Sequence, residues 1–487
     1  MTIATPLRSG ALRRRVTGTA AVAATSLTLV AAALPAPGPL GIGDRLFPTL
    51  GNPGYDVRAY DLTFRYSGDH TKALQARTVI TARVTARSLD RVNLDYAGGP
   101  VRSVRVNGLP SRHTEAGEDL VITPPAGLER GDRMRIVVRH TSPTGNADKN
   151  GWVRTRDGLV MANQADAAHR VFPCNDHPSD KARFTFHITA PKKLTVVAGG
   201  RLSGTRQHGR TKTWNYSVAH PMATELAQVS IGKSAVLRRV GPHGLPLRHV
   251  VPAGDRAALQ PWLGRTPQQI AWMEKQVGPF PFDTYGLLIA DATTGFELET
   301  QTLSLFEEKV FTGGKYPDWY LQSIMVHELS HQWFGDSVSP RRWTDLWIDE
   351  GHATWYEWRY AAQQGGPSLL KRVHAAYKAS DGLRKKYGAP AAPHGRTSDG
   401  KIGIFTPIVY DGSAVVLYAL RQKIGKQDFR RLERAWVTRH RDGVAATGDF
   451  IRLASEISGR DLSGFLTHWL YDTKTPPMPG HPKWRSR

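Results

Sequence analysis

The feature that most constrains this chain is the segment His327-Glu328-Leu329-Ser330-His331, together with Glu350 further along. If the segment is helical, His327 and His331 lie one turn apart on the same face. Two imidazoles so placed can both reach one metal ion, and Glu328 stands beside them. Eighteen residues separate His331 from Glu350. A helix, a loop and a second helix can therefore bring that carboxylate to the same ion.

These residues predict a zinc centre with one ion per chain. Two His and one Glu leave a fourth coordination position open, which is typical of a catalytic rather than a structural zinc. Glu328 is then expected to take a proton from a water made acidic by the zinc, and to pass that proton to the leaving amine. Glu357 lies seven residues beyond Glu350, on the same helix face. It is either a hydrogen-bond partner of a histidine ligand or an exposed side chain.

Residues 1–36 are predicted to be an export signal. Four arginines and no acidic residue are followed by an Ala/Val/Leu-rich stretch, and then by small residues and prolines. A general secretory and a twin-arginine route are both compatible with this pattern, and a retained anchor is the alternative to cleavage. We expect an exported protein, periplasmic, extracellular or on the cell surface, with no stable membrane span and a linker at 37–54.

The period of the hydrophobic pattern changes once along the chain. Between residues 55 and 253, short runs of alternating apolar and polar residues are separated by turn signals such as Asn107-Gly108, which predicts an antiparallel β-domain. From 254 to 487 the period becomes helical, with one long helix expected at Arg256–Val277 and mostly helices from Trp319 onward. The fold class is therefore α+β, with a β-domain followed by a mainly α-helical domain.

Charge and cysteine content restrict the partners further. The formal net charge is +23, which can favour anionic envelope polymers or nucleic acid. Because arginine is dispersed, with no basic arm or aromatic-basic module, we expect no nucleic-acid partner. The single cysteine, Cys174, excludes an intrachain disulfide. It is either a nucleophile or a buried small side chain, and we expect the latter.

Several segments together resemble one known family. The segments HELSHQWFGD at His327–Asp336 and WTDLWIDEGHATWYE at Trp343–Glu357 are similar to the zinc-site segments of the thermolysin-like gluzincin aminopeptidases, which include aminopeptidase N and the leukotriene hydrolase. The segments FPCNDHPSDKA at Phe172–Ala182 and PMATELAQVSIG at Pro221–Gly232 resemble that family's N-terminal β-domain. The resemblance implies a β-sandwich or saddle domain followed by a thermolysin-like catalytic domain, as in short secreted two-domain members.

The resemblance also implies roles that spacing alone does not. Tyr410 matches the family tyrosine whose hydroxyl stabilises the oxyanion. Glu299 matches the acidic residue that binds the substrate's α-ammonium, and Gln164 matches the β-domain side chain that helps to hold it. The segment Phe296–Thr300 departs from the family's Gly-x-Met-Glu-Asn, with Leu for Met and Thr for Asn. Glu297, on the same face of an extended strand, is therefore an alternative to Glu299.

The leading hypothesis is a zinc-dependent aminopeptidase that hydrolyses the first bond of peptides with a free N-terminus. One alternative is a metallo-endopeptidase or another zinc hydrolase, for example one acting on an epoxide. Another is a catalytically silent binding or scaffold protein. A comparison of free and N-acetylated peptides discriminates the aminopeptidase from the endopeptidase. Binding of stoichiometric zinc tests the catalytically silent protein.

Overall fold

The computed structural model describes residues 41–145, 150–395 and 404–487 of the chain. The predicted export signal at 1–36 lies outside these residues. Within them, a β-rich N-terminal half is followed by a mainly helical C-terminal half, which confirms the predicted α+β class. No helix in the described ranges has the length and apolar character that a membrane span requires.

An eight-stranded sheet is the largest element of the β-rich half. Its neighbouring strands are antiparallel, as predicted, except that Tyr55–Arg65 and Ala182–Pro191 run parallel. These two strands are far apart in the chain, so no hairpin dictates their relative direction. In spatial order the strands are Arg201–His208, Thr211–Met222, Ala182–Pro191, Tyr55–Arg65, Leu74–Val84, Arg133–Ser142, Val101–Val106 and Leu109–Pro110.

Smaller antiparallel sheets pack on the inner face of this sheet and share one apolar core with it. Buried residues alternate with exposed ones along the long strands, so only one face of the large sheet contributes to this core. The smaller sheets consist of Val92–Asp95, Asp119–Thr123 and Arg112–Ala116; of Gly151–Arg154, Leu159–Ala162, Val229–Gly232 and Thr195–Ala198; and of Ser88–Leu89 with Leu128–Glu129.

A four-stranded sheet connects the two halves. Ser234–Val240 and Pro246–Pro252 form a hairpin, and Leu287–Ala290 and Ser304–Glu307 extend the sheet in parallel. All residues of Leu287–Ala290 are buried. The predicted boundary between residues 253 and 254 therefore lies between strands that belong to one sheet.

The helix predicted at Arg256–Val277 is two helices, α1 Arg256–Leu263 and α2 Thr266–Val277. Gly264 follows the first, and Pro267 stands in the first turn of the second, where a missing N–H loses no helical partner. A continuous helix would place Pro267 in its interior and lose a hydrogen bond there.

The remaining helices make up most of the C-terminal half. They are α3 Glu308–Thr312, α4 Asp318–Ser330, α5 Leu346–Gln363, α6 Leu369–Tyr387, α7 Ser413–Ile424, α8 Lys426–Arg439, α9 Thr447–Ser458 and α10 Ser463–Tyr471. Two short strand pairs lie among them, Ser339–Pro340 with Val444–Ala445 and Gly388–Ala389 with Ala392–Pro393.

Residues 41–54, which belong to the predicted linker, pack between the two halves as an N-terminal strap. The Phe47 ring lies 5.2 Å from the Trp343 ring, measured between centroids. Asp44 accepts a hydrogen bond from the backbone N–H of Trp343 at 2.8 Å, and its Oδ2 lies 3.1 Å from His177 Nε2. One carboxylate therefore ties the strap to both the β-rich half and the helical half.

The strap also supports two residues that are predicted to belong to the site, Gln164 and Tyr410. Its apolar side chains form a small core with Ala165 and Val409. Ala165 follows Gln164 in the chain, and Val409 precedes Tyr410. The strap therefore packs behind both segments that present these side chains.

Candidate active site

Two packed helices bring the predicted metal ligands together. His327 lies in the last turn of α4, His331 follows that helix directly, and Glu350 lies near the start of α5. Glu350 Oε2 is 3.3 Å from His327 Nε2 and 3.5 Å from His331 Nε2. All three side chains are largely buried. Their ligand atoms form a group that is able to hold one metal ion.

The second nitrogen of each imidazole contacts a carboxylate. His327 Nδ1 lies 3.2 Å from Glu357 Oε2, and His331 Nδ1 hydrogen-bonds to Asp349 Oδ1. If each Nδ1 carries the proton and donates it, the Nε2 lone pairs are left free and directed towards Glu350. Neutral imidazoles with convergent Nε2 atoms and one carboxylate are the donor set that zinc prefers. The residues present therefore fit a zinc ion.

Glu328 lies beside this group with one oxygen uncommitted. Its side chain is buried, and Oε2 has no hydrogen-bond partner among the described residues. Burial raises the pKa of this carboxyl, while the neighbouring His327 and His331 oppose the rise. A dication at the histidines favours the ionised carboxylate further, because opposite charges stabilise each other strongly in a buried site. Glu328 is thus arranged to accept a proton.

Glu299 provides a second buried carboxylate beside the candidate metal ligands. Its Oε1 accepts a hydrogen bond from Gln164 Nε2 at 2.6 Å. Its carboxylate lies close to Glu328 and His331, with one ligand atom of each residue within 4.8 Å of the others. Burial raises the pKa of Glu299, whereas His331 lowers it. A side chain from the β-rich half and one from the helical half therefore meet beside the candidate metal centre.

The segment that carries Glu299 is less regular than the edge strand expected from the sequence. A single bridge joins Leu298 to Leu305. Gln332 fixes the segment instead: its Nε2 donates to the Glu299 carbonyl at 2.9 Å, and its Oε1 accepts from the Thr302 N–H at 2.9 Å. The position of Glu299 is thus tied to the residue that follows His331.

The alternative carboxylate, Glu297, makes a different contact. Its Oε2 accepts a hydrogen bond from the backbone N–H of Glu307 at 2.9 Å. It does not belong to the group of ligand atoms that contains Glu299, Glu328 and His331. Of the two carboxylates, Glu299 is the one that the fold brings to the metal ligands.

Tyr410 approaches the same ligands from another direction. It lies in a π-helical turn, Ile408–Gly412, directly before α7. Its hydroxyl interacts with the Glu350 carboxylate, and its ring stacks beside that of His327 with centroids 6.0 Å apart. Burial and the nearby carboxylates raise the pKa of Tyr410. The hydroxyl therefore stays protonated and can donate a hydrogen bond.

Close packing of α5 against α7 sets the distance between Glu350 and Tyr410. A Cβ atom on Gly351 would lie only 2.6 Å from Ser413 Cβ. A larger residue would push the two helices apart, and with them the adjacent Glu350 and Tyr410.

Asp349 and Gln332 contact predicted site residues, although no sequence pattern predicts either contact. Asp349 precedes Glu350, and nothing in a linear pattern distinguishes it from an exposed helix carboxylate. Gln332 follows His331 within the HELSHQWFGD segment, yet its two partners, Glu299 and Thr302, lie in another part of the chain. The one sequence signal for Asp349 is its position directly before the predicted ligand Glu350.

A cavity of about 680 Å³ opens beside Tyr410. Its lining includes Glu357, Arg372, Phe405 and Asp411. A cavity of this size can accept a small organic ligand or part of a peptide.

Both halves of the chain match models of one family. The Peptidase M1 N-terminal domain matches residues 57–226, and the Peptidase family M1 domain matches residues 263–469. Aminopeptidase M1-D of Oryza sativa subsp. japonica is 25% identical over 396 residues, which cover 75% of this chain and 44% of the relative. Leukotriene A-4 hydrolase of Xenopus laevis is 27% identical over 311 residues, which cover 59% of this chain and 49% of the relative. The chain thus spans about half the length of the curated relatives it matches.

Solved structures match the chain over nearly their full length. An M1 zinc metallopeptidase from Deinococcus radiodurans superposes with a TM-score of 0.77 and 26% identity, covering 90% of this chain and 98% of that structure. A two-domain M1 zinc metallopeptidase mutant with bound L-tryptophan gives a TM-score of 0.78 and 25% identity, covering 90% and 99%. The predicted resemblance is confirmed in both halves, and the chain belongs to peptidase family M1.

Proposed function

We propose that this chain is a zinc-dependent aminopeptidase that removes the N-terminal residue from peptides. The observation that carries the proposal is Glu299, a buried carboxylate close to Glu328 and His331. A buried carboxylate without a cationic partner is unfavourable, and the α-ammonium of a peptide is such a partner. In a peptide that ammonium is only about 2.5 Å from the first carbonyl carbon, so anchoring it presents the first peptide bond.

The protein's residues divide the work between binding and proton transfer. His327, His331 and Glu350 would hold the zinc, which when bound acidifies a water and polarises the substrate carbonyl. Glu328 takes a proton from the attacking water and returns it to the leaving amine. Tyr410 donates a hydrogen bond to the oxygen that becomes negative during attack. Glu299 and Gln164 orient the amine end.

The relatives add independent support. The two-domain M1 zinc metallopeptidase mutant at 25% identity has free L-tryptophan bound. A free amino acid is the product that an aminopeptidase releases. In this chain, Glu299 would bind the α-ammonium of such a residue beside Glu328 and His331.

A panel of chromogenic aminoacyl substrates, each compared with its N-acetylated form, tests the proposal. The free-amine substrates should be hydrolysed, the acetylated ones should be hydrolysed far more slowly, and a chelator should stop both reactions until zinc is restored. Equal hydrolysis of blocked internal bonds would instead identify a metallo-endopeptidase. Absence of any turnover by the zinc-loaded protein would contradict both.

Tyr410→Phe tests the oxyanion role separately from metal binding. The variant lacks the hydroxyl donor but keeps the ring beside His327, so kcat should fall by about 10²–10³-fold with little change in KM. Zinc content should stay at one per chain. Tyr418→Phe, a change of the same kind on α7, is the control and should keep nearly full activity. A normal kcat in Tyr410→Phe would exclude the proposed role.

We infer in addition that residues 1–36 direct export of the chain. Support comes from the basic start, the Ala/Val/Leu-rich stretch and the small residues that follow it. Expression of the full chain, followed by fractionation and N-terminal sequencing, should yield a product outside the cytoplasm that begins near residue 37. An uncleaved cytoplasmic product would contradict this inference.

A further inference from the structure

The outer face of the eight-stranded sheet is strongly basic. Side chains alternate across a strand, so residues two apart share a face. On the strands Leu74–Val84, Val101–Val106 and Arg133–Ser142, the inward positions are mostly apolar, and most outward charged positions are arginine. We call this surface the basic sheet face; it consists of Arg77, Arg83, Arg105, Arg133, Arg135 and Arg139.

The register of these strands places like charges opposite each other. Arg139 pairs with Arg77, and Arg133 pairs with Arg83. Directly opposed like charges destabilise an antiparallel sheet. Two rows on the same face lie between these pairs: Val79 pairs with Val137, and Thr81 pairs with Arg135. The valine pair gives the aliphatic parts of the neighbouring arginines an apolar surface to pack on. The paired arginines therefore concentrate positive charge on this face, and their repulsion lowers the free energy of unfolding.

Few counter-charges lie on the same face. None of its six arginines forms a salt bridge within the described residues. The neighbouring strand Tyr55–Arg65 supplies two carboxylates at the edge of the face. Asp56 is the register partner of Arg83 and pairs with Arg58 at 2.6 Å. Asp61 lies 3.4 Å from His187 Nε2, and Arg77 and Arg135 help to lower its pKa. These two carboxylates offset only part of the charge of the six arginines. Positive charge therefore projects to solvent across three adjacent strands.

We propose that the basic sheet face binds a linear polyanion that carries closely spaced phosphate groups. Guanidinium groups match phosphate oxygens in a bidentate way, which favours phosphate over a diffuse counterion layer. Neighbouring strands are about 4.8 Å apart, and alternate residues along a strand are about 6.8 Å apart. An extended polyanion can therefore contact an arginine at successive phosphate groups. The hydroxyls of Thr81 and Ser103 lie between the arginines as further donors.

The chemistry of the face favours a polymer without bases. Proteins that bind single-stranded nucleic acid stack bases on aromatic side chains, and none of the outward residues on these three strands is aromatic. The face lies on the side of the sheet opposite its apolar core, and none of its arginines belongs to the candidate active site. Binding there leaves the site free to act on peptides.

The experiment uses the zinc-loaded full chain and long-chain inorganic polyphosphate as the probe. Affinity is measured at several salt concentrations for the unchanged protein, for Arg77→Gln/Arg139→Gln, and for the matched control Arg430→Gln/Arg460→Gln on exposed positions of the helical half. The first variant should bind roughly tenfold or more weakly, and its salt slope should shrink by about 1.4. Its thermal stability should hold or rise, because opposed charges are removed.

Three outcomes overturn the proposal. The first is no polyphosphate binding by the unchanged protein at roughly 0.1 M salt, where the Debye length is about 10 Å. The second is an equal loss in the control variant, which would show that net charge rather than this face determines binding. The third is tighter binding to a single-stranded oligonucleotide of matched charge, which would make nucleic acid the partner.

Discussion

Replacing Glu328 by Gln is expected to reduce turnover by about 10²–10⁴-fold, the range that a positioned general base contributes. The amide has nearly the same shape but cannot accept a proton from water. His327, His331 and Glu350 are unchanged, so the variant should retain one zinc per chain. Metal content by atomic spectroscopy and kcat on an aminoacyl substrate are the two measurements.

A matched control separates the base from a general effect of removing a buried charge. Glu433 is also a buried helical glutamate, on α8 and outside the group of ligand atoms. Glu433→Gln should keep most of the activity. Substantial turnover by Glu328→Gln would show that another group takes the proton.

Glu299→Ala should change specificity as well as rate. Loss of the buried partner of a charged group costs about 3–5 kcal/mol, so kcat/KM for free-amine substrates should fall by roughly 10²-fold to several thousand-fold. N-acetylated substrates make no ammonium contact and should lose little. The ratio of the two kcat/KM values, measured for both proteins, is the readout.

Glu297→Ala is the natural control for that experiment. Both side chains belong to one short segment, and Glu297 was the alternative that the sequence left open. Its contact with the Glu307 N–H makes a loss of stability the main expected effect. If Glu297→Ala shows the selective loss and Glu299→Ala does not, the amine-binding residue is Glu297.

Local periodicity explains why much of the fold could be predicted. The β-rich part followed by helices could be predicted, because a period of two and a helical period each depend on a short pattern of apolar residues. The helix predicted at Arg256–Val277 was wrong in its continuity, since Gly264 and Pro267 interrupt an otherwise helical period. The packed strap could not be predicted, because its partners are remote in the chain.

Residue spacing alone predicts the candidate metal ligands. The spacing of His327 and His331 is a property of one helix turn, and the following segment brings Glu350 to them. The family's motifs then suggested Glu299, Gln164 and Tyr410. The two histidines could be predicted as a pair because the geometry of one helix turn is nearly independent of the rest of the chain.

Only the tertiary structure decided which distant side chains meet. Gln164 reaches Glu299, and Asp349 reaches His331, through packing that no local period encodes. The same holds for the basic sheet face: Arg77, Arg105 and Arg139 are dispersed in sequence, and strand pairing gathers them on one surface. The physical reason is that hydrogen-bond register and core packing act between residues far apart in the chain, whereas a sequence pattern reports only on near neighbours.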